Sequence, residues 1–222
     1  MRRFLKNNGL SVVLLTAFLV IWLGGQATAG MRVYNAEQLQ MGLPTVSFLH
    51  YLGTSHFGEA TFENWESEFL QMSMYVLLTV KLTQRGSAES RPVDGAIDQD
   101  EDPANHRDDP DAPWPVRRGG MWLSLYRNSL TITLFLLFVA SFVLHSASGS
   151  RVYNADQEAI GSADRVTTWS NLLRAEFWFE SLQNWQSEFL AVAAIVVFTI
   201  FLRQQGSPES KPVHAPHATT GT

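Results

Sequence analysis

Residues 63–70, ENWESEFL, return as QNWQSEFL at residues 183–190, and an apolar run follows each time. Two further blocks repeat in the same order. RVYNAEQ at 32–38 matches RVYNADQ at 151–157, and GSAESRPV at 86–93 matches GSPESKPV at 206–213. One offset of roughly 120 residues relates all three pairs. Segments that are merely apolar in common do not reproduce polar pairs such as Asn35/Asn154 and Glu89/Glu209 in register. The chain therefore reads as a tandem duplication.

Each copy runs apolar segment, RVYN block, NWxSEFL block, second apolar segment, basic Gly-Ser end. The apolar runs cover about 10–29, 65–82, 125–147 and 185–202. Each approaches the roughly 20 residues that a helix needs to cross hydrocarbon. Their apolar residues are not confined to one face, which argues against amphipathic helices on a soluble core. The expected fold is all-α and integral to a membrane, with four transmembrane helices arranged as two tandem parallel two-helix repeats. Short interfacial helices are expected in the outer loops, near 44–52 and 166–173. The second run is the weakest, being interrupted by Gln71, Ser73 and Lys81.

The start, MRRFLK followed by an apolar run and Ala27-Thr-Ala29, also has the look of a cleavable signal peptide. The matching run at 125–147 sits mid-chain and ends in equally small residues, so the first helix is expected to be retained. The expected domains are a first membrane repeat at 1–93, an acidic linker at 94–115, a second membrane repeat at 116–213 and a tail at 214–222. The linker, with its acid runs and prolines, and the tail are expected to be disordered.

Lys and Arg near span ends report orientation. Arg2, Arg3, Lys6, Lys81, Arg85, Arg91, Arg117, Arg118, Arg127, Arg203 and Lys211 fall on one side, against Arg32, Arg151, Arg165 and Arg174 on the other. Both termini and the linker are therefore expected in the cytoplasm, with both RVYN…NWxSEFL loops facing outward. The net charge of -5 comes largely from the linker, and no basic stripe supports nucleic-acid binding. The chain has no cysteine, which removes disulfides, thiol catalysis and thiolate metal sites.

The repeated residues have two kinds of use. Asn64 and Asn184 are expected to cap helices that start at Trp65 and Trp185. Glu66, Glu68 and Glu188 would then face the positive end of the helix dipole. The tryptophans, with Arg32, Tyr34, Arg151 and Tyr153, are expected to anchor the chain in the outer interface. The acids Glu68 and Glu188 lie about one turn below that interface, where a carboxylate needs water or a partner. With Ser67, Ser187, Asn35 and Asn154 they form a candidate polar site. In an alternative reading, Asn35/Asn154 join Glu37/Asp156 in an outward-facing pocket.

No phosphate loop, zinc helix, nucleophile elbow or dinucleotide fingerprint is present. No catalytic residue, cofactor or metal site is expected; His214 and His217 are a weak metal pair at most. The duplicated RVYN…NWxSEFL…GSxES[RK]PV plan resembles an uncharacterised bacterial integral membrane protein family, a domain of unknown function with a tandem two-helix repeat. That resemblance implies a bacterial inner membrane and brings no activity with it. The expected role is a non-enzymatic structural or interaction protein of the cytoplasmic membrane. Its partners would be the lipid bilayer and a second copy or another membrane protein. The alternative is a small channel or transporter with a polar site at Glu68 and Glu188, and an envelope- or lipid-directed enzyme ranks last.

Overall fold

The computed structural model describes residues 2–221. Among them every long element is a helix and no strand forms. α1 (Arg2–Leu19) continues through a π-wound segment (Val20–Gln26) into α2 (Ala27–Gln40). The widened turn falls at Gly24-Gly25, and the Thr28 hydroxyl donates to the carbonyls of both glycines, at 2.5 and 3.0 Å. Such bonds satisfy the backbone that a π-turn loosens. Next come α3 (Phe48–Tyr51) and α4 (Ser55–Thr79). After the linker, α5 (Trp114–Arg118), α6 (Gly120–Tyr126), α7 (Ser129–Ala159), α8 (Thr168–Asn171) and α9 (Ala175–Phe201) follow.

Three helices are long and apolar enough to cross a membrane: Arg3–Gln40, Ser129–Ala159 and Ala175–Phe201. The shortest has 27 residues, about 40 Å of helix at roughly 1.5 Å per residue, against a hydrocarbon layer of about 30 Å. α4, at the second expected span, does not join them. Glu59, Glu63, Glu66 and Glu68 crowd its first half. Burial follows the membrane pattern. Sixteen buried side chains among the described residues are polar or charged, and six are hydrophobic. Leu10, Leu130 and Leu190 are meanwhile more than half exposed. Apolar surface outside and polar contacts within suit lipid as the solvent.

Two sequence expectations are corrected. The RVYN blocks are not loops: Arg32 to Asn35 lie within α2, and Arg151 to Asn154 within α7. The residues after each apolar run, Ala-Glu-Gln and Ala-Asp-Gln-Glu-Ala, are good helix formers or neutral, so nothing stops the helix. It stops at Gly42 and Gly161, whose φ angles are 74° and 72°. Each supports a Schellman closure, Leu43 N to Gln38 O at 2.8 Å and Ser162 N to Gln157 O at 2.9 Å. Nor do Asn64 and Asn184 cap helices, because α4 and α9 begin at Ser55 and Ala175. The caps belong to residues outside the repeated block. Thr54 Oγ1 accepts from Phe57 N at 3.3 Å, and Ser47 and Thr167 cap the short α3 and α8.

The chain divides into two compact units, residues 1–63 with 142–178, and residues 64–141 with 179–222. In the first, Ala27, Tyr51 and Phe57 form a buried cluster with Trp22 and Tyr34 against it. Glycine permits close helix approach there. A Cβ on Gly58 would lie 2.7 Å from Ser148 Oγ, and one on Gly149 would lie 2.7 Å from Glu59 Oε1. The matching Gly30 seats the Tyr51 hydroxyl. Gly24 and Gly25, small residues of the kind that let helices pack closely, meet only their own helix at Val20.

In the second unit the GSxES blocks form closed loops. Ser90 Oγ accepts from Gln84 N at 2.8 Å and donates to Arg91 O; Ser210 repeats this with Gln204 N at 2.9 Å and Lys211 O. Ser87 and Ser207 accept from Glu89 N and Glu209 N at 3.1 and 3.2 Å. The stretch expected as a disordered tail closes over Lys211. The lysine Nζ donates to the carbonyls of Gly86, His217 and Thr219, the last two at 2.9 Å. Burial, and then Arg203, push this amine below the ordinary lysine value. The acidic linker carries two 3₁₀ turns, Asp98–Asp100 and Pro103–His106, and Asp100 pairs with Arg91 at 2.5 Å.

Candidate functional site

The polar residues of the sequence separate into fasteners and a pocket. Asn35 and Asn154 are fasteners. Asn35 Nδ2 donates to Val46 O at 3.0 Å, and its Oδ1 accepts from Val46 N at 2.8 Å. Asn154 does the same with Val166, both bonds at 2.8 Å. A carboxamide has one donor and one acceptor side by side, so it can pair with both groups of one peptide residue. Each pins the loop after its helix to that helix. Ser67 and Ser187 are spent on their own helices, donating to Asn64 O at 2.7 Å and Asn184 O at 2.8 Å.

Glu68 and Glu188 lie in one unit. Glu68 is exposed and Glu188 half-buried. The fully buried acid is instead Glu66, whose matched residue is the exposed Gln186. Trp65 and Trp185 are half-buried, and Trp185 meets the Phe138 ring edge-on at 6.1 Å. Farther along α4, Gln71 is buried and Tyr75 donates to Glu89 Oε2 at 2.9 Å. Thr199, the match of Thr79, shares a 3.0 Å hydroxyl contact with Ser87. The candidate set does not gather as one site.

One concave site lies wholly within the first unit. A pocket of about 550 Å³ is lined by residues that include Tyr34, Glu37, Thr54, His56, Arg151 and Asp156. Tyr34 is set into it from α2, with its ring 5.8 Å from Tyr51 and 5.4 Å from His56. The Tyr51 hydroxyl meets His56 Nδ1 at 3.0 Å, and Tyr51 is only 1% exposed. Burial raises the Tyr51 phenol above its ordinary value, and the charge of Glu37 adds to it. Among the described residues no three His, Asp or Glu side chains gather as a metal site would need.

The model of a domain of unknown function, DUF6766, matches residues 1–222. The chain belongs to the DUF6766 family. No curated protein and no solved structure matches it. For this DUF6766 chain the geometry therefore carries the functional argument.

Sequence reading joined Arg151 with Tyr153 as anchors, and the structure places Arg151 on the pocket wall. Neither Tyr51 nor His56 belongs to a repeated block, so the repeats give no sign of them. The signal that would have found His56 is a mismatch between the aligned halves. Thr54 and His56 stand where Arg174 and Glu176 stand in the second half.

Proposed function

We propose that this DUF6766 chain is a four-helix integral membrane protein of the bacterial cytoplasmic membrane, built by tandem duplication. Both termini and the acidic linker lie in the cytoplasm, and α4 serves as the fourth span. Its role is non-enzymatic: it is a structural or interaction protein that sits in the bilayer and meets a second copy or another membrane protein. One observation carries this reading. Asn35, Asn154, Ser67, Ser187, Ser90 and Ser210, which recur in matched blocks, all direct hydrogen bonds to nearby backbone. Residues spent in this way hold the fold and leave no donor set for chemistry.

A second reading, a small channel or transporter, is favoured by Glu68 and Glu188, two acids that fall within apolar runs of one unit. Single cysteines separate the two, because the chain has none of its own. Glu68→Cys and Glu188→Cys would be exposed to a membrane-impermeant thiol reagent from outside intact cells. Glu158→Cys serves as the outward control and Asp98→Cys as the cytoplasmic one. Slow labelling at 68 and 188 beside fast labelling at 158 supports the structural role. Fast labelling at both acids sinks it in favour of the conducting one, and labelling of Asp98→Cys from outside inverts the topology.

A further inference from the structure

Tyr34 and Tyr153 occupy matched places in the two RVYN blocks, and both belong to the first unit. Over Tyr153 a cation is already seated. The Arg174 guanidinium carbon lies 3.7 Å from the ring centroid, and Glu176 pairs with its Nη2 at 3.3 Å. The Tyr153 hydroxyl donates to Asp164 at 2.7 Å, which holds the ring in place. In the first half Thr54 stands for Arg174 and His56 for Glu176. A threonine side chain is too short to lie across the ring. What remains is the pocket of about 550 Å³ whose wall includes Tyr34, Thr54 and His56.

The wall suits a positive guest. Glu37 and Asp156 outnumber Arg151 on it. Aromatic faces attract ammonium and guanidinium groups within about 6 Å of the ring centroid. Met41, Leu43 and Val152 line the same pocket and supply apolar surface for a carbon stem. We propose that this pocket binds a small organic cation with an ammonium or guanidinium head, in the pose that Arg174 adopts over Tyr153. The second half thus carries its own tethered ligand, while the first half is open to one from outside. The head can belong to an ethanolamine lipid or to a soluble amine, and the chemistry of recognition is the same.

The test uses full-length protein in detergent, titrated calorimetrically with methylguanidinium chloride and separately with ethylammonium chloride. Potassium chloride at equal ionic strength is the control. One saturable equivalent is expected for the unaltered chain. Glu37→Gln combined with Asp156→Asn should weaken it about tenfold, as loss of two partly screened charges does. Thr54→Arg should abolish it by supplying the tethered cation, and Arg174→Ala should open a second equivalent.

Absence of saturable heat, or heat that potassium chloride reproduces, overturns the proposal. So does unaltered affinity in the charge-neutralised double variant, which also decides the matter if Thr54→Arg does not fold. A stoichiometry unchanged by Arg174→Ala overturns the shared pose. In nanodiscs, loss of probe binding in ethanolamine lipid but not in glycerol lipid upholds the pocket and assigns the lipid head. Equal binding in both upholds it and assigns a soluble cation.

Discussion

The surroundings of Tyr34 and Tyr153 differ although the blocks that carry them match. In both, an asparagine one residue on grips a valine of the following loop with the same pair of bonds. Beyond that grip, Tyr153 is covered by Arg174, and Tyr34 looks into a pocket with His56 beside it. The residues that recur hold backbone, and the residues that diverged decide whether a surface is filled or open. The repeated asparagines hold backbone, and the proposed cation pocket sits where the match fails.

That contrast can be broken most forcefully at the shared grip. Asn35→Ala and Asn154→Ala each remove two hydrogen bonds and strand a peptide group, and each should cost about 2–3 kcal/mol. Thermal unfolding in detergent should show two similar losses. A large loss in only one half would end the view that both loops are built alike. Gly149→Ala comes next, because its Cβ would lie 2.7 Å from the Glu59 carboxylate. A loss of up to about 1 kcal/mol is expected, because the carboxylate end of Glu59 can swing aside. Gly24→Ala, with no neighbour from another helix, should stay within about 0.5 kcal/mol as a surface change.

The filled side is tested by Arg174→Ala, which gives up a cation–π contact and a partly exposed ion pair. About 1 kcal/mol is expected, together with greater sensitivity of the 162–174 loop to proteolysis. The open side gives the smallest effect. Tyr51 keeps its proton to a higher pH when folded than when unfolded. Its contribution is therefore complete below the unfolded value near 10, and it is lost as pH rises from there through the raised folded value. Tyr51→Phe has no phenol to titrate and should flatten that part of the alkaline fall in Tm. An unchanged slope between wild type and variant would place the titration elsewhere.

Much of this architecture was legible along the chain. Three of the four apolar runs lie in helices of membrane-crossing length and apolarity, because hydropathy and helix propensity add up locally. The run around 65–82 was harder to judge. Its helix begins among acids, and farther along Gln71 and Ser73 are buried while Tyr75 reaches Glu89 in the following loop. The asparagines show how local chemistry yields to helix continuity. Asn64 has the chemistry of a cap, yet nothing before it breaks a helix, so α4 starts at Ser55 and leaves it inside. Lys211 is the opposite case. From sequence it was a span-end charge; in the fold its ammonium meets carbonyls from residue 86 and from 217 and 219.

The amino-acid sequence by itself determined that this is a helical chain with membrane-length apolar helices and two matched sets of polar blocks. Each of those rests on composition, spacing or backbone preference within a short window. Only the tertiary structure decided that the matched asparagines are loop clasps, that Lys211 is caged, and that one tyrosine is covered while its counterpart faces an open pocket. Those outcomes depend on which distant residue arrives at a given atom, and chain crossing, not local propensity, sets that.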